Sequence, residues 1–280
     1  MIQITTTTTE IKNDAKRKAQ IYILSVLGLS WVIGFVGLHL IEFKSLLPRV
    51  LLILCYGFLP AMLAVFFNKR AGGTWRDLQF VKPSWKSIVI ALVIPAVYVI
   101  LGFYLQVQLG YRSKPDWSVF GGHVQLLLST VGGLFLTCLL VLGEEIGWRG
   151  YLQGKMFQAF GEFRGTILLG LVWGIWHLPV ALTGYNFPEH PYLEAFITYP
   201  LACVAFSLII AYFGSWKHSI WVAAVFHGAN NHFNMIALST TDLLDSWSFA
   251  WLSNAICVDL ILIFGGLYWL KLKKKRSRVN

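Results

Sequence analysis

The sequence predicts an all-α membrane protein, a polytopic bundle of about eight transmembrane helices with both termini in the cytoplasm. Three observations carry this. Hydrophobic residues make up 56% of the 280 and charged residues only 13%, against roughly 45–50% and about 25% in soluble domains. Apolar runs follow one another along the whole chain, joined by short connectors. The basic residues are also sorted: all but four of the 23 lysines and arginines fall at the chain ends and in alternate connectors, which the positive-inside rule assigns to the cytoplasm. Lys44, Arg49, Arg112 and Lys114 are left for the other side. The net charge of +10 therefore suits anionic headgroups of a lipid bilayer, and no nucleic acid partner is expected.

Residues 1–20 are polar, with a threonine run at 5–9 and a basic cluster of Lys12, Lys16, Arg17 and Lys18. So little apolar content predicts a disordered cytoplasmic tail, becoming a short interfacial helix near Lys16. The apolar run that follows is too long for a signal-peptide core and lacks a small-residue cleavage site, so it stays as a span. Crossing about 30 Å of hydrocarbon takes roughly 20 helical residues. Spans are predicted at 21–41, 50–67, 88–109, 124–142, 166–182, 196–213, 220–238 and 249–270. Together they form one membrane-embedded domain over 21–270, followed by a basic cytoplasmic tail at 271–280. Pro60, Pro95 and Pro179 predict kinks and not breaks, because neighbouring helices can cover the freed carbonyls. Cys55, Cys138, Cys203 and Cys257 fall in four different runs, without metal-ligand spacing, and read as packed thiols. No inverted repeat of the transporter kind is evident.

Charged and strongly polar groups inside membrane helices are costly, so each needs a reason. The densest set closes the fourth span: Gly143-Glu144-Glu145-Ile146-Gly147-Trp148-Arg149. Glu145 and Arg149 are four apart, share a helical face and can pair. Glu144 points about 100° away, so Arg149 does not neutralise it as readily. That separates a structural carboxylate from one free to react; the alternative from position alone is that all three are loop residues at the headgroup level. His177 lies roughly 16 Å along the fifth span, where a lone histidine could simply bond one helix to another. The seventh span carries His227, Asn230, Asn231, His232 and Asn234, of which 227, 231 and 234 form one stripe. A carboxylate, two imidazoles and a carboxamide at compatible depth suit activation of water by a carboxylate, with histidine assistance and an oxyanion site from imidazole and amide. Glu144, His177 and His227 are equally a zinc ligand set with water in the fourth position. Spacing alone does not choose. Asp259, mid-way along the last span, reads as an interhelical hydrogen bond.

At these residues the sequence resembles the CAAX-processing and bacteriocin-processing (CPBP, or Abi) family of intramembrane proteases. The family pattern, E-E-x-x-x-R, F-x-x-x-H and H-x-x-x-N/D on successive helices, is matched by Glu144-Glu145-x-x-x-Arg149, Trp173-x-x-x-His177 and His227-x-x-x-Asn231. Trp173 stands where phenylalanine is usual and keeps an aromatic wall. The resemblance implies hydrolysis of a peptide bond inside the membrane near its cytoplasmic face. In it Glu144 would be the base for the attacking water, with His177 assisting. His227 and Asn231 would form the oxyanion site, and Glu145 with Arg149 would hold the architecture. It further implies a membrane-associated peptide or protein substrate and a location in the bacterial plasma membrane. No obligatory cofactor is expected, because a zinc-bound Glu144 would leave no separate base and a neutral amide such as Asn231 binds zinc weakly; zinc remains the alternative. Two other classes compete: a non-catalytic immunity or regulatory protein on the same scaffold, and an ion-coupled transporter using Glu144, His177, His227 and Asp259.

Overall fold

With no water in the hydrocarbon, each span must satisfy its own backbone, and helices follow. The computed structural model describes residues 7–40, 46–214 and 219–278, and every predicted span is helical within them. Lys44 and Lys217, both used to assign orientation, lie outside the described residues, as do residues 1–6, residue 41 at the end of the first span, and the last two residues. The helices are α1 Thr8–Phe35, α2 Leu46–Arg70, α3 Trp85–Gln108, α4 His123–Leu140, α5 Leu142–Glu145, α6 Gln153–Phe160, α7 Glu162–Trp176, α8 Leu178–Ala181, α9 Pro191–Leu193, α10 Tyr199–Gly214, α11 Ile220–Ser239 and α12 Ser246–Arg276. A π-helical stretch, Ile146–Leu152, joins α5 to α6.

Among the described residues, six helices are long and apolar enough to cross a membrane. The other two predicted spans fall short for different reasons. Helix α7 has only 15 residues, roughly 22 Å, while the 20-residue α11 is diluted by two histidines and three asparagines. These are the helices that bring the candidate histidines inward. The polar content that lowers the hydropathy of α11 is the same content that makes it a candidate for chemistry.

The N-terminus departs from expectation. Helix α1 begins at Thr8, because Thr7 and Glu10 form a reciprocal capping box: Glu10 N–H donates to the Thr7 hydroxyl at 3.2 Å and Thr7 N–H to the Glu10 carboxylate at 2.6 Å. Such boxes satisfy two orphan donors at a helix start. A stripe of Ala15, Ala19, Tyr22, Val26, Ser30 and Gly34 is then buried along α1, so the polar segment is drawn into the fold as a helical extension.

Helix α7 is held hard against α10 by a Gly170-x-x-x-Gly174 pair. A Cβ on Gly170 would lie 2.6 Å from the Val204 Cα, and one on Gly174 2.6 Å from the Pro200 Cα. Small residues at this spacing let helix backbones approach closely. Gly170→Ala should therefore force α7 off α10 and lower stability by about 1–3 kcal/mol, read as a drop in melting temperature in detergent. An unchanged melting temperature would show that the helices have slack at this crossing.

Pro60 and Pro95 sit inside continuous helices, as expected. Pro179 does more than kink. It ends α7 at Trp176 and starts the short α8 after His177. Proline cannot donate to the carbonyl four residues back, which is that of Ile175, and the Trp31 indole donates to that oxygen at 3.3 Å. Tyr56 donates to the next carbonyl, of Trp176, at 2.5 Å. His177 is thus placed at a helix end whose loose carbonyls are covered by α1 and α2.

Candidate active site

Glu144 and His177 come together directly. Glu144 Oε2 lies 3.9 Å from His177 Nε2, with both side chains about one-seventh exposed, at 14% and 13%. The break before Pro179 turns the imidazole back over α7, so that Nδ1 meets the Trp173 carbonyl at 2.9 Å. A carbonyl only accepts, so Nδ1 carries the proton and Nε2 presents a lone pair. Tyr199 stacks on the imidazole at 4.2 Å and Trp176 meets it edge-on at 4.7 Å, while the Cys203 thiol lies 3.9 Å from Nδ1. Across from it, Glu144 Oε2 accepts the Trp173 indole N–H at 2.7 Å. The lone pair of one group and the carboxylate of the other face each other across a gap. A water there can donate one O–H to each.

The second cluster is buried. Glu145 is fully buried and Arg149 nearly so. Arg149 Nη1 donates to Glu145 Oε1 at 3.1 Å and Nη2 to the Ser207 hydroxyl at 3.2 Å. The i, i+4 pair survives the change to π-helical winding just after Glu145, a local widening that recurs at functional sites. The guanidinium lies 4.1 Å over the Trp173 ring. His227 does not reach for Glu144. Its Nδ1 donates to Glu145 Oε1 at 2.9 Å, and its ring meets Trp173 edge-on at 5.1 Å. Trp173 thus lies between the two clusters and contacts both.

Asn231 is one turn beyond His227 on α11 and is exposed. Its Oδ1 accepts from Asn230 Nδ2 at 3.0 Å, and Asn230 in turn accepts from Tyr98 at 2.7 Å. That fixes the Asn231 amide with its NH₂ free to donate. The described hydrogen bonds do not join Asn231 to Glu144 or His177. Asp259 lies on the exposed face of α12 and takes part in no described interhelical hydrogen bond. Tyr199, Ser207 and Tyr56 were not singled out in the sequence, and Cys203 was read there only as a packed thiol. They sit in apolar runs whose spacing carries no polar signal.

A zinc site would need Glu144, His177 and His227 around one point, at about 2.0–2.2 Å each. Glu144 and His177 approach, while His227 bonds Glu145 through Nδ1 and would have to reach the same point with Nε2. Among the described residues no three His, Cys, Asp or Glu side chains gather into a metal-holding group. Glu144, His177 and His227 are not gathered around one point in this arrangement.

The comparisons agree with the motifs. The family model for type II CAAX prenyl endopeptidase Rce1-like proteins matches residues 124–233, which contain all three motifs. A CAAX prenyl protease 2 from Methanococcus maripaludis is 24% identical over 230 residues, covering 76% of this chain and 82% of that protein. Lysostaphin resistance protein A from Staphylococcus haemolyticus is 25% identical over 163 residues, 58% of this chain and 41% of the relative. The matched region runs from α4 through the paired glutamates to the polar stripe of α11, on an all-helical multi-pass scaffold. On motifs, fold and relatives together, this chain is similar to the CAAX-processing and bacteriocin-processing family of membrane proteases.

Proposed function

We propose that this protein is an intramembrane endopeptidase of the bacterial plasma membrane that hydrolyses a peptide bond near the cytoplasmic face. The observation that carries the reading is the opposed pair of acceptors, Glu144 Oε2 and His177 Nε2, 3.9 Å apart. A water between them is oriented by His177 and deprotonated by Glu144. Its oxygen attacks the carbonyl carbon, the C–N bond breaks, and the proton held by Glu144 passes to the leaving amine. The oxyanion takes hydrogen bonds from Asn231 Nδ2 and from His227. With Nδ1–H on Glu145, His227 donates to the oxyanion from Nε2 when both ring nitrogens carry a proton. The name of the Methanococcus relative suggests the substrate class: a membrane-held protein bearing a prenylated cysteine near its C-terminus.

The test uses the full chain in liposomes with a fluorogenic peptide carrying a farnesylated cysteine, beside the same peptide unprenylated. Cleavage of the prenylated peptide is expected to persist after exhaustive chelation, with metal content measured on the same sample. Absence of any cleavage would sink the protease reading. Activity that vanishes with the metal and returns with zinc would overturn the metal-independent mechanism. The Staphylococcus relative, named for resistance to lysostaphin, favours a second reading, a resistance protein that acts by binding. That reading requires biological protection to survive Glu144→Gln.

A further inference from the structure

We infer that Trp173 is the positioning residue of this site, holding Glu144 in place through its indole N–H. The inference rests on the proposed water-activating role of Glu144. Four contacts meet at this one residue. The indole N–H donates to Glu144 Oε2 at 2.7 Å, and the residue's own carbonyl accepts from His177 Nδ1 at 2.9 Å. The ring face carries the Arg149 guanidinium at 4.1 Å, and the ring meets His227 at 5.1 Å. The indole is buried, 1% exposed, so no water competes for its N–H.

Phenylalanine at this position would keep the carbonyl and the apolar wall and offer a ring to Arg149 and His227, but it has no N–H. In this chain the departure therefore adds one specific interaction, a charge-assisted hydrogen bond to the oxygen that faces His177. The carboxylate has two oxygens and can rotate about its last bond. A donor fixed in a packed indole selects one orientation and holds Oε2 facing His177 Nε2. Orientation of this kind is worth more to a reaction than to a fold, because a small misplacement of a reacting group costs rate steeply.

The experiment compares the native full chain with Trp173→Phe, and with a chain carrying benzothienylalanine at 173, which keeps the bicycle and replaces only the N–H. Resonance Raman reads the indole N–H directly. The contribution of Trp173, taken as native minus Trp173→Phe, should show a strongly hydrogen-bonded N–H that becomes weakly bonded in Glu144→Ala. The same band in both backgrounds would overturn the inference. On the farnesylated fluorogenic peptide, both replacements at 173 should lower kcat by about 10–100-fold with KM within about twofold. Native kcat in the benzothienylalanine chain would overturn it even if Trp173→Phe failed to fold. If the native chain cleaves nothing, the protease reading falls while the Raman comparison still decides the contact.

Discussion

Glu144→Gln is expected to reduce cleavage by about 10²–10⁴-fold, the usual contribution of a positioned general base, without loss of folded protein. The substitution is nearly isosteric. Its amide oxygen can still accept from the Trp173 N–H, so the Glu144–Trp173 contact at 2.7 Å need not break. What disappears is the basic oxygen facing His177 at 3.9 Å. Stability should hold or rise, because a side chain that is only 14% exposed no longer has to be desolvated as a charge. The measurement is a rate on the prenylated peptide together with a melting curve on the same preparation. A native rate removes Glu144 from the chemistry. A lost rate with an equally lost fold would make its role structural, and the division between the two glutamates would go with it.

Much of this architecture was legible because the bilayer leaves few options. Apolar runs and basic connectors gave helices in the right places, and the spacing of Glu145 and Arg149 predicted a contact that local geometry alone can make. The connections that needed tertiary structure were not legible. Glu144 and Trp173 are 29 residues apart, and nothing in the sequence shows that the indole edge turns to the carboxylate. Trp173 was read as a wall because only its ring was considered. That His227, expected at the oxyanion site, bonds Glu145 through Nδ1 was not legible either, since rotation of α11 relative to α5 cannot be derived from either helix. Asn231 follows the same stripe, and its amide is fixed by Asn230, a neighbour the motif ignores.

Two misreadings had signals that were present and outweighed. The Thr7-x-x-Glu10 pair is a capping box by sequence, but polar composition favoured disorder; the buried stripe from Ala15 onward reverses that, because each turn of α1 packs on its neighbours. Pro179 was expected to kink α7. The helix ends there because Trp31 and Tyr56, from two other helices, take the freed carbonyls, and their help removes the cost of a full break. That break is what frees His177 to fold back on Trp173.

Arg149→Ala should be the most destabilising single change in the site, by about 3–5 kcal/mol, the cost of stranding a buried charge. Glu145 is 0% exposed and Arg149 4% exposed, so water cannot replace the lost partner. The alanine also removes the bond to Ser207 and the guanidinium from the Trp173 face. Arg149→Lys should recover only part, since an ammonium cannot span Glu145 and Ser207 as a planar fork while lying flat on the indole. Two explanations of the loss can be separated. If a stranded carboxylate is the cause, Arg149→Met combined with Glu145→Gln should restore most of the folded yield and melting temperature, because methionine refills the volume and the amide oxygen still accepts from His227. Activity should stay low, since an amide is a weaker acceptor than a carboxylate for the Nδ1–H that orients His227. A double variant as unstable as Arg149→Ala would show that the fork itself, and not the charge it neutralises, holds α5 to α10.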